Sequence, residues 1–288
     1  MNLALVGVGL IGGSFARAAL QAGEVTRVVG YDSDPAALAA AVRLGAVTEA
    51  ADSLPRAVRQ ADLVMLAVPV GAMGEVMRVL APALPAHALV TDVGSAKASV
   101  IESARAELGP HFARFVPGHP IAGGERPGVE ASDPRLFEGK LFIATPVPET
   151  DEAATSSVER LWRRLGCRLE RMEAAEHDRV FAAVSHLPHV LAFALVAHIA
   201  RGRDAESKLG KAGAGFRDFT RIAASSPGMW RDVCLANREA VAAELASYRA
   251  LLDELQLALE RGDGGALESV FRDAAECRRA HAPRLDAE

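Results

Sequence analysis

Through its first 170 or so residues the chain alternates short apolar, β-rich runs with longer stretches whose apolar positions recur every three or four residues. The short runs predict strands at Leu3–Val6, Arg27–Tyr31, Leu63–Val68, Leu89–Asp92, Arg114–Val116, Leu141–Thr145 and Arg168–Met172. Helices are predicted between them at Leu10–Gln21, Pro35–Leu44, Ala72–Leu80, Ala98–Leu108 and Glu152–Leu165. Such alternation implies parallel strands with crossover helices. A strand as uniformly apolar as Leu63-Val64-Met65-Leu66-Ala67-Val68 suits a sheet covered on both faces. After about Met172 the strand signals stop, and the rest reads as helix. There Val241, Leu245, Tyr248, Leu252, Leu255 and Leu259 recur at spacings of four, three, four, three and four, a stripe that must face another helix. An intramolecular bundle or a second subunit would serve, and we expect a homodimer. The expected architecture is α/β: a doubly wound parallel sheet over residues 1–172, then an all-helical domain over 173–288.

Val180 to Ala200 is apolar almost throughout and about long enough to span a bilayer. It also carries Ser185, His186, Pro188, His189 and His198, which are costly in lipid, so the expectation is a helix buried inside protein and no membrane partner. With 288 residues, half of them hydrophobic, and a net charge of −5, the chain has the balance of a soluble globular protein. No basic surplus suggests a nucleic-acid partner. Cys167, Cys234 and Cys277 lie too far apart in sequence for a short zinc spacing, so no metal is expected, and a sparse, odd set suits the reducing cytoplasm. Met1 to Val6 lacks a basic flank and runs straight into glycines, as a first strand does.

The clearest motif is Gly7-Val8-Gly9-Leu10-Ile11-Gly12, which closes the first strand and opens the first helix. In a GxGxxG loop the first glycine permits the tight turn, the second lets backbone approach a pyrophosphate, and the third allows close helix–strand packing. Asp32 ends the second strand 20 residues beyond Gly12, where a carboxylate binds adenosine ribose hydroxyls. Its charge would repel a 2′-phosphate, and Ser33-Asp34-Pro35 supplies no arginine to bind one, so NAD is expected over NADP. Val68-Pro69-Val70 and the stretch Asp92 to Lys97 follow later strands and should flank the nicotinamide.

One histidine stands apart in Gly118-His119-Pro120-Ile121-Ala122-Gly123-Gly124-Glu125, between small or rigid neighbours and after the strand at Arg114–Val116. From there His119 should project toward the cofactor loops, where an imidazole could take a hydroxyl proton as hydride leaves the same carbon. Ser95 could hydrogen-bond it and fix its tautomer. A loop histidine is as readily structural, and the residue alone does not decide. Ser185 and His189, four apart, share a helical face near Pro188, a common place for a kink. They would equally suit a satisfied polar pair in a buried helix. Arg221, among Phe219, Ile222 and Ala223, needs an anion or must reach outward; Arg217 lies one turn earlier, and Trp230 reads as core.

The stretches GVGLIGGS (Gly7–Ser14), TDVGSAK (Thr91–Lys97), GHPIAGGE, SHLPH (Ser185–His189) and DFTRIA (Asp218–Ala223), with Met229-Trp230-Arg231-Asp232 beyond, stand in the order and approximate spacing of prephenate dehydrogenases. The chain resembles that family over nearly its whole length. The resemblance implies oxidative decarboxylation in tyrosine biosynthesis. His119 would be the base at the ring hydroxyl and Ser95 would orient it. Arg221 would clamp a substrate carboxylate, His189 and Ser185 would line the pocket, and Glu125 and Trp230 would form its wall or gate. Arg217 could add charge to the same pocket. Many relatives have threonine or serine where this chain has Gly124, which leaves the local polarity of the pocket open. The substrate could be prephenate or arogenate. A β-hydroxyacid dehydrogenase would need a catalytic lysine, and Lys208 and Lys211 sit in no convincing motif. An NAD-sensing regulator would keep the glycines and Asp32 but would not require His119.

Overall fold

The structure is a computed structural model that describes residues 1–124 and 126–285. Six parallel strands form the main sheet: β1 (Asn2–Val6), β2 (Arg27–Tyr31), β3 (Glu49–Ala50), β4 (Leu63–Leu66), β5 (Leu89–Asp92) and β6 (Phe115–Val116), in the order β3-β2-β1-β4-β5-β6. Helices α1 (Leu10–Gln21), α2 (Pro35–Arg43), α3 (Leu54–Val58), α4 (Met73–Leu80) and α5 (Ala98–Glu107) make the crossovers. Alternate residues explain the two covered faces. Leu3, Leu5, Leu63 and Met65 enter one core, whereas Ala4, Val6, Val64 and Leu66 enter the other.

The chain leaves this sheet at Pro117. Strand β7 (Gly118–Ile121) begins a second, three-stranded sheet with β8 (Leu141–Ala144) and β9 (Arg168–Arg171), in the order β7-β8-β9, with β7 antiparallel to β8 and β8 parallel to β9. The expected parallel sheet is the six-stranded one; the expectation of a loop at Gly118-His119-Pro120 is corrected, because these residues are strand, antiparallel to β8 in the smaller sheet. Proline argues against strand in a sequence, yet β7 is an edge, where an absent N–H costs no ladder bond. Helix α6 (Glu152–Arg164) packs here through Trp162, which stacks on Phe142 at 4.5 Å between ring centroids and meets Phe15 and Phe137 at 5.0 Å each.

Five more helices complete the larger unit: α7 (Ala174–Phe181), α8 (Leu187–Ala200), α9 (Ala205–Leu209), α10 (Ala214–Thr220) and α11 (Pro227–Ala236). Between α7 and α8 the segment Ala182–His186 is a π-helical turn, so the break expected near Pro188 is a widened turn just before it. The run Ala174–Ala200 is long and apolar enough to cross a membrane by length and composition. The expectation that it is buried inside protein meets a correction: in α8 only Leu187 and Ala192 are buried, and Val184 in the π turn is 67% exposed. By packing the chain divides into Met1–Arg238 and Glu239–Glu288, so α7 to α11 belong with the two sheets, although the strand signals end at Met172. The smaller unit is made of α12 (Arg238–Arg261), all but its first residue, and α13 (Gly264–Leu285). Along α12 the expected stripe is helical, and Leu245, Leu252 and Leu259 on it are exposed.

Candidate active site

Gly7 has φ of +93° and would bring a Cβ against the Ala67 carbonyl, so both conformation and space require glycine at the end of β1. Helix α1 opens at Leu10 and Ile11 with no side-chain cap and no acidic residue in its first turn. Its leading amides are thus unclaimed by side chains, and a Cβ on Gly9 would meet nothing within 4 Å. Open space before an uncapped helix N-terminus fits a pyrophosphate. A Cβ on Gly12 would strike the Gly7 carbonyl, which fixes how closely α1 sits on β1. At the end of β2, Asp32 accepts from the Val8 N–H through Oδ2 and from the Asp34 N–H through Oδ1, both at 2.9 Å. Its carboxylate is held half-exposed beside the glycine loop, where a ribose would lie. Val68 and Pro69 follow β4, Pro69 exposed.

Asp92 differs from its expected place as a cofactor contact. It is fully buried and turned inward, accepting from the Gly94 N–H at 2.8 Å and the Gly118 N–H at 3.0 Å, with an ion pair to the equally buried Lys97. Its place is beneath the loop.

His119 on β7 projects from the face opposite Gly118 and Pro120. Its Nδ1 is 2.9 Å from His177 Nε2, and His177 Nδ1 is 2.8 Å from Asp178 Oδ1. The chain of partners dictates the protons. A carboxylate only accepts, so His177 carries its hydrogen on Nδ1 and offers a bare Nε2. His119 must then donate from Nδ1, which leaves its Nε2 lone pair outward. The tautomer is therefore fixed by His177, not by Ser95 as the sequence suggested. Asp178 is itself fixed by the Lys97 N–H at 2.7 Å and the Ala98 N–H at 2.9 Å, the first amides of α5. Burial would raise its carboxyl pKa, but the His177 bond and these two amides outweigh burial and hold it below the ordinary value. Burial lowers the His177 pKa against the opposing pull of Asp178. His119 is held well below the usual imidazole value by burial first, then by His177, Lys97 and His186. Phe181 closes the cluster, 4.9 Å from the His119 ring and 4.5 Å from His177.

The π turn and α8 supply the far side. His186 is buried; its Nδ1 lies 3.1 Å from Asn237 Nδ2, which also donates to the Asp178 carbonyl at 2.7 Å. An amide donor at Nδ1 puts the His186 hydrogen on Nε2; burial pulls its pKa down to about 4, against the opposing effects of the Asp178 charge and the Ser95 backbone. His189 donates from Nδ1 to the Ser185 carbonyl at 2.9 Å and stacks on Trp230 with centroids 3.5 Å apart. Ser185 thus enters through its backbone. Burial lowers the His189 pKa, and Arg221, at the start of the 3₁₀ turn Arg221–Ala224, is close enough for its charge to lower it further. Arg221 is exposed and engaged. Arg217 is exposed on α10, and no hydrogen bond or ion pair among the described residues ties it to these groups. Glu125 lies outside the described residues.

The structure thus brings His119, His189, Trp230 and Arg221 into one electrostatic neighbourhood, linked through His177 and His186. Sequence reasoning missed His177, Asp178, Asn237 and the role of Lys97. The available signal was a His-Asp pair opening an amphipathic helix, eight residues before Ser185.

A dinucleotide cradle, a neutral imidazole with an outward lone pair, and a guanidinium on the helical side define a dehydrogenase that oxidises a hydroxyl-bearing acid. The family model for the prephenate dehydrogenase nucleotide-binding domain matches residues 15–171, and that for the prephenate dehydrogenase dimerization domain matches residues 173–273. The chain belongs to the prephenate dehydrogenase family. It is 37% identical to a cyclohexadienyl dehydrogenase of Zymomonas mobilis over 97% of this chain and 95% of that one. It is 35% identical to a prephenate dehydrogenase of Bacillus subtilis, over 96% of this chain and 75% of that one. Among solved structures, prephenate dehydrogenase from Aquifex aeolicus in complex with hydroxyphenyl propionate and NAD+ has a TM-score of 0.87 at 37% identity, covering 100% of this chain and 98% of that one.

Proposed function

We propose that this chain oxidises and decarboxylates prephenate with NAD, forming 4-hydroxyphenylpyruvate, carbon dioxide and NADH. The observation that carries the reading is the Asp178–His177–His119 chain, which leaves a base at His119 Nε2. The glycine loop and Asp32 would hold NAD, whose nicotinamide supplies the hydride acceptor when bound. His119 takes the proton of the C4 hydroxyl as that carbon loses hydride. The electron pair of the breaking ring–carboxylate bond then enters the ring, which becomes aromatic as carbon dioxide departs, and the C4 oxygen takes the proton back from His119. A lowered imidazole pKa keeps the base neutral at physiological pH. Arg221 binds a substrate carboxylate, and His189 with Trp230 forms the wall beside it. Asp32 favours NAD over NADP by charge.

Acceptance of arogenate is favoured by a separate observation: the cyclohexadienyl dehydrogenase relative matches over almost the full length of both chains. We further propose a cytoplasmic homodimer. The exposed leucines of α12, the partly buried apolar residues of α8 and the match to a dimerization domain support the dimer, and three unpaired cysteines suit a reducing compartment. Turnover of prephenate and arogenate, each with NAD and NADP, tests the reading: prephenate with NAD should be turned over, and inactivity on both substrates would overturn it. Light scattering at micromolar concentration should give twice the 30.3 kDa chain mass, and a monomer would remove the dimer.

A further inference from the structure

Lys97 is completely buried, unusual for a lysine, and its ammonium donates to Asp92 Oδ2 and to the Gly118 carbonyl. Asp92 Oδ1 meanwhile accepts from the Gly118 N–H at 3.0 Å. The ion pair therefore holds both polar backbone atoms of the residue immediately before His119. β7 is an edge strand, and its ladder runs to β8 on one side only. On the other side two side chains stand where a neighbouring strand would. Gly118 leaves no alternative position, because a Cβ there would collide with the Phe142 ring, itself stacked on Trp162. Lys97 also acts through its backbone, since its N–H binds Asp178, which holds His177 and through it His119 Nδ1. One residue thus fixes the imidazole both by the backbone that carries it and by the ring nitrogen that orients it.

We propose that the buried Asp92–Lys97 pair is a positioning device for His119, holding the Gly118–His119 backbone so that Nε2 meets the substrate hydroxyl. This rests on the reading of His119 as the base. Neither residue touches substrate in this account. Buried ion pairs are weak sources of stability, because desolvation offsets most of their attraction, so positioning is a better reason for one here than holding the fold together.

The test uses the full-length protein. Lys97→Met alone leaves Asp92 buried and unpaired and can fail to fold, so Asp92→Asn/Lys97→Met serves as the main variant; it removes both charges and keeps the volume. The introduced asparagine still accepts from the Gly118 N–H, although its NH₂ then faces the Gly94 N–H, and the introduced methionine cannot donate to the Gly118 carbonyl. The double variant should lose kcat by about 100-fold, the scale for a base displaced by an ångström, with KM for prephenate and NAD affinity each within about threefold of wild type. In a His119→Gln background the same double substitution should cost nothing further. In substrate-free protein, nitrogen shifts of labelled histidine should show the His119 Nδ1–His177 hydrogen bond intact in wild type and weakened in the variant, because the ring shifts with its backbone while the Lys97 N–H still holds Asp178. An unchanged kcat in a folded variant, an equal loss in the His119→Gln background, or unaltered His119 ring-nitrogen shifts would each overturn the positioning role. If wild type turns over neither prephenate nor arogenate, the functional reading fails instead, and the ring-nitrogen shifts still decide the structural claim.

Discussion

Asp178→Asn is the sharpest perturbation of the site, because it keeps shape and reverses proton direction. Asp178 Oδ1 accepts from His177 Nδ1 and the Lys97 N–H, and Oδ2 accepts from the Ala98 N–H. An asparagine has one oxygen to serve three donors. With its oxygen toward His177, its NH₂ opposes the Ala98 amide, a part-buried donor that then lacks its partner, at a cost of about 1 kcal/mol. With the amide flipped, its NH₂ points at His177 Nδ1, which must then accept. His177 Nε2 then carries the hydrogen, His119 Nδ1 must accept it, and the hydrogen of His119 moves to Nε2, where the base should be. The expected loss in kcat is about 100-fold, within the roughly 10²–10⁴ that a general base contributes. Loss of negative charge at the α5 N-terminus should also lower stability by up to about 2 kcal/mol. NADH absorbance under saturating prephenate measures kcat, NAD titration by fluorescence measures cofactor affinity, and thermal melting separates the stability effect. A folded Asp178→Asn enzyme with kcat within about threefold of wild type would refute the proton chain.

The remaining expectations are simpler. His119→Asn should lower turnover at least about 100-fold with NAD affinity nearly unchanged, as read by the same two assays. Arg221→Ala should raise KM for prephenate by about 10- to 100-fold, the equivalent of the ~1.5–3 kcal/mol of a charge-assisted bond, and an unchanged KM would remove it from the clamp. His186 has a folded pKa near 4 against an ordinary 6.5, so its contribution to stability is complete above pH 6.5 and lost as pH falls toward 4, by at most about 3 kcal/mol. Denaturant unfolding should accordingly show a smaller loss between pH 7 and 4.5 for His186→Asn than for wild type; equal losses would contradict it. In the free enzyme kcat/KM should stay level down through pH 6.5 and fall only at lower pH, because His119 titrates well below the ordinary value.

The nucleotide half was legible because its signals are local. Leu3–Val6, Leu63–Leu66 and the glycine loop state their period, length and turn chemistry within a few residues. β3 escaped notice because two residues carry no period. β7 was read as loop because Gly118 and Pro120 are poor strand residues anywhere but at an edge, and edge position is a tertiary fact. His119, Arg221 and His189 announced themselves by odd placement in glycine-rich or apolar surroundings. Their supports did not. His177 and Asp178 look like ordinary charged residues of an amphipathic helix start, and only folding brings His177 back across 58 residues of chain to His119. Lys97 has no sequence mark of complete burial, since lysines at helix starts are usually solvated. The burial expected for α8 failed for the opposite reason: composition reports how apolar a helix is, not whether one chain suffices to cover it.

The central claim is that an outward Nε2 of His119, oriented from behind by His177, receives the hydroxyl proton. A crystal structure of the protein with NAD and a phenolic product analogue measures it directly. His119 Nε2 should lie roughly 2.6–3.2 Å from the ring hydroxyl, with Nδ1 still hydrogen-bonded to His177. A hydroxyl bound elsewhere, with Nε2 turned to another protein group, would contradict it.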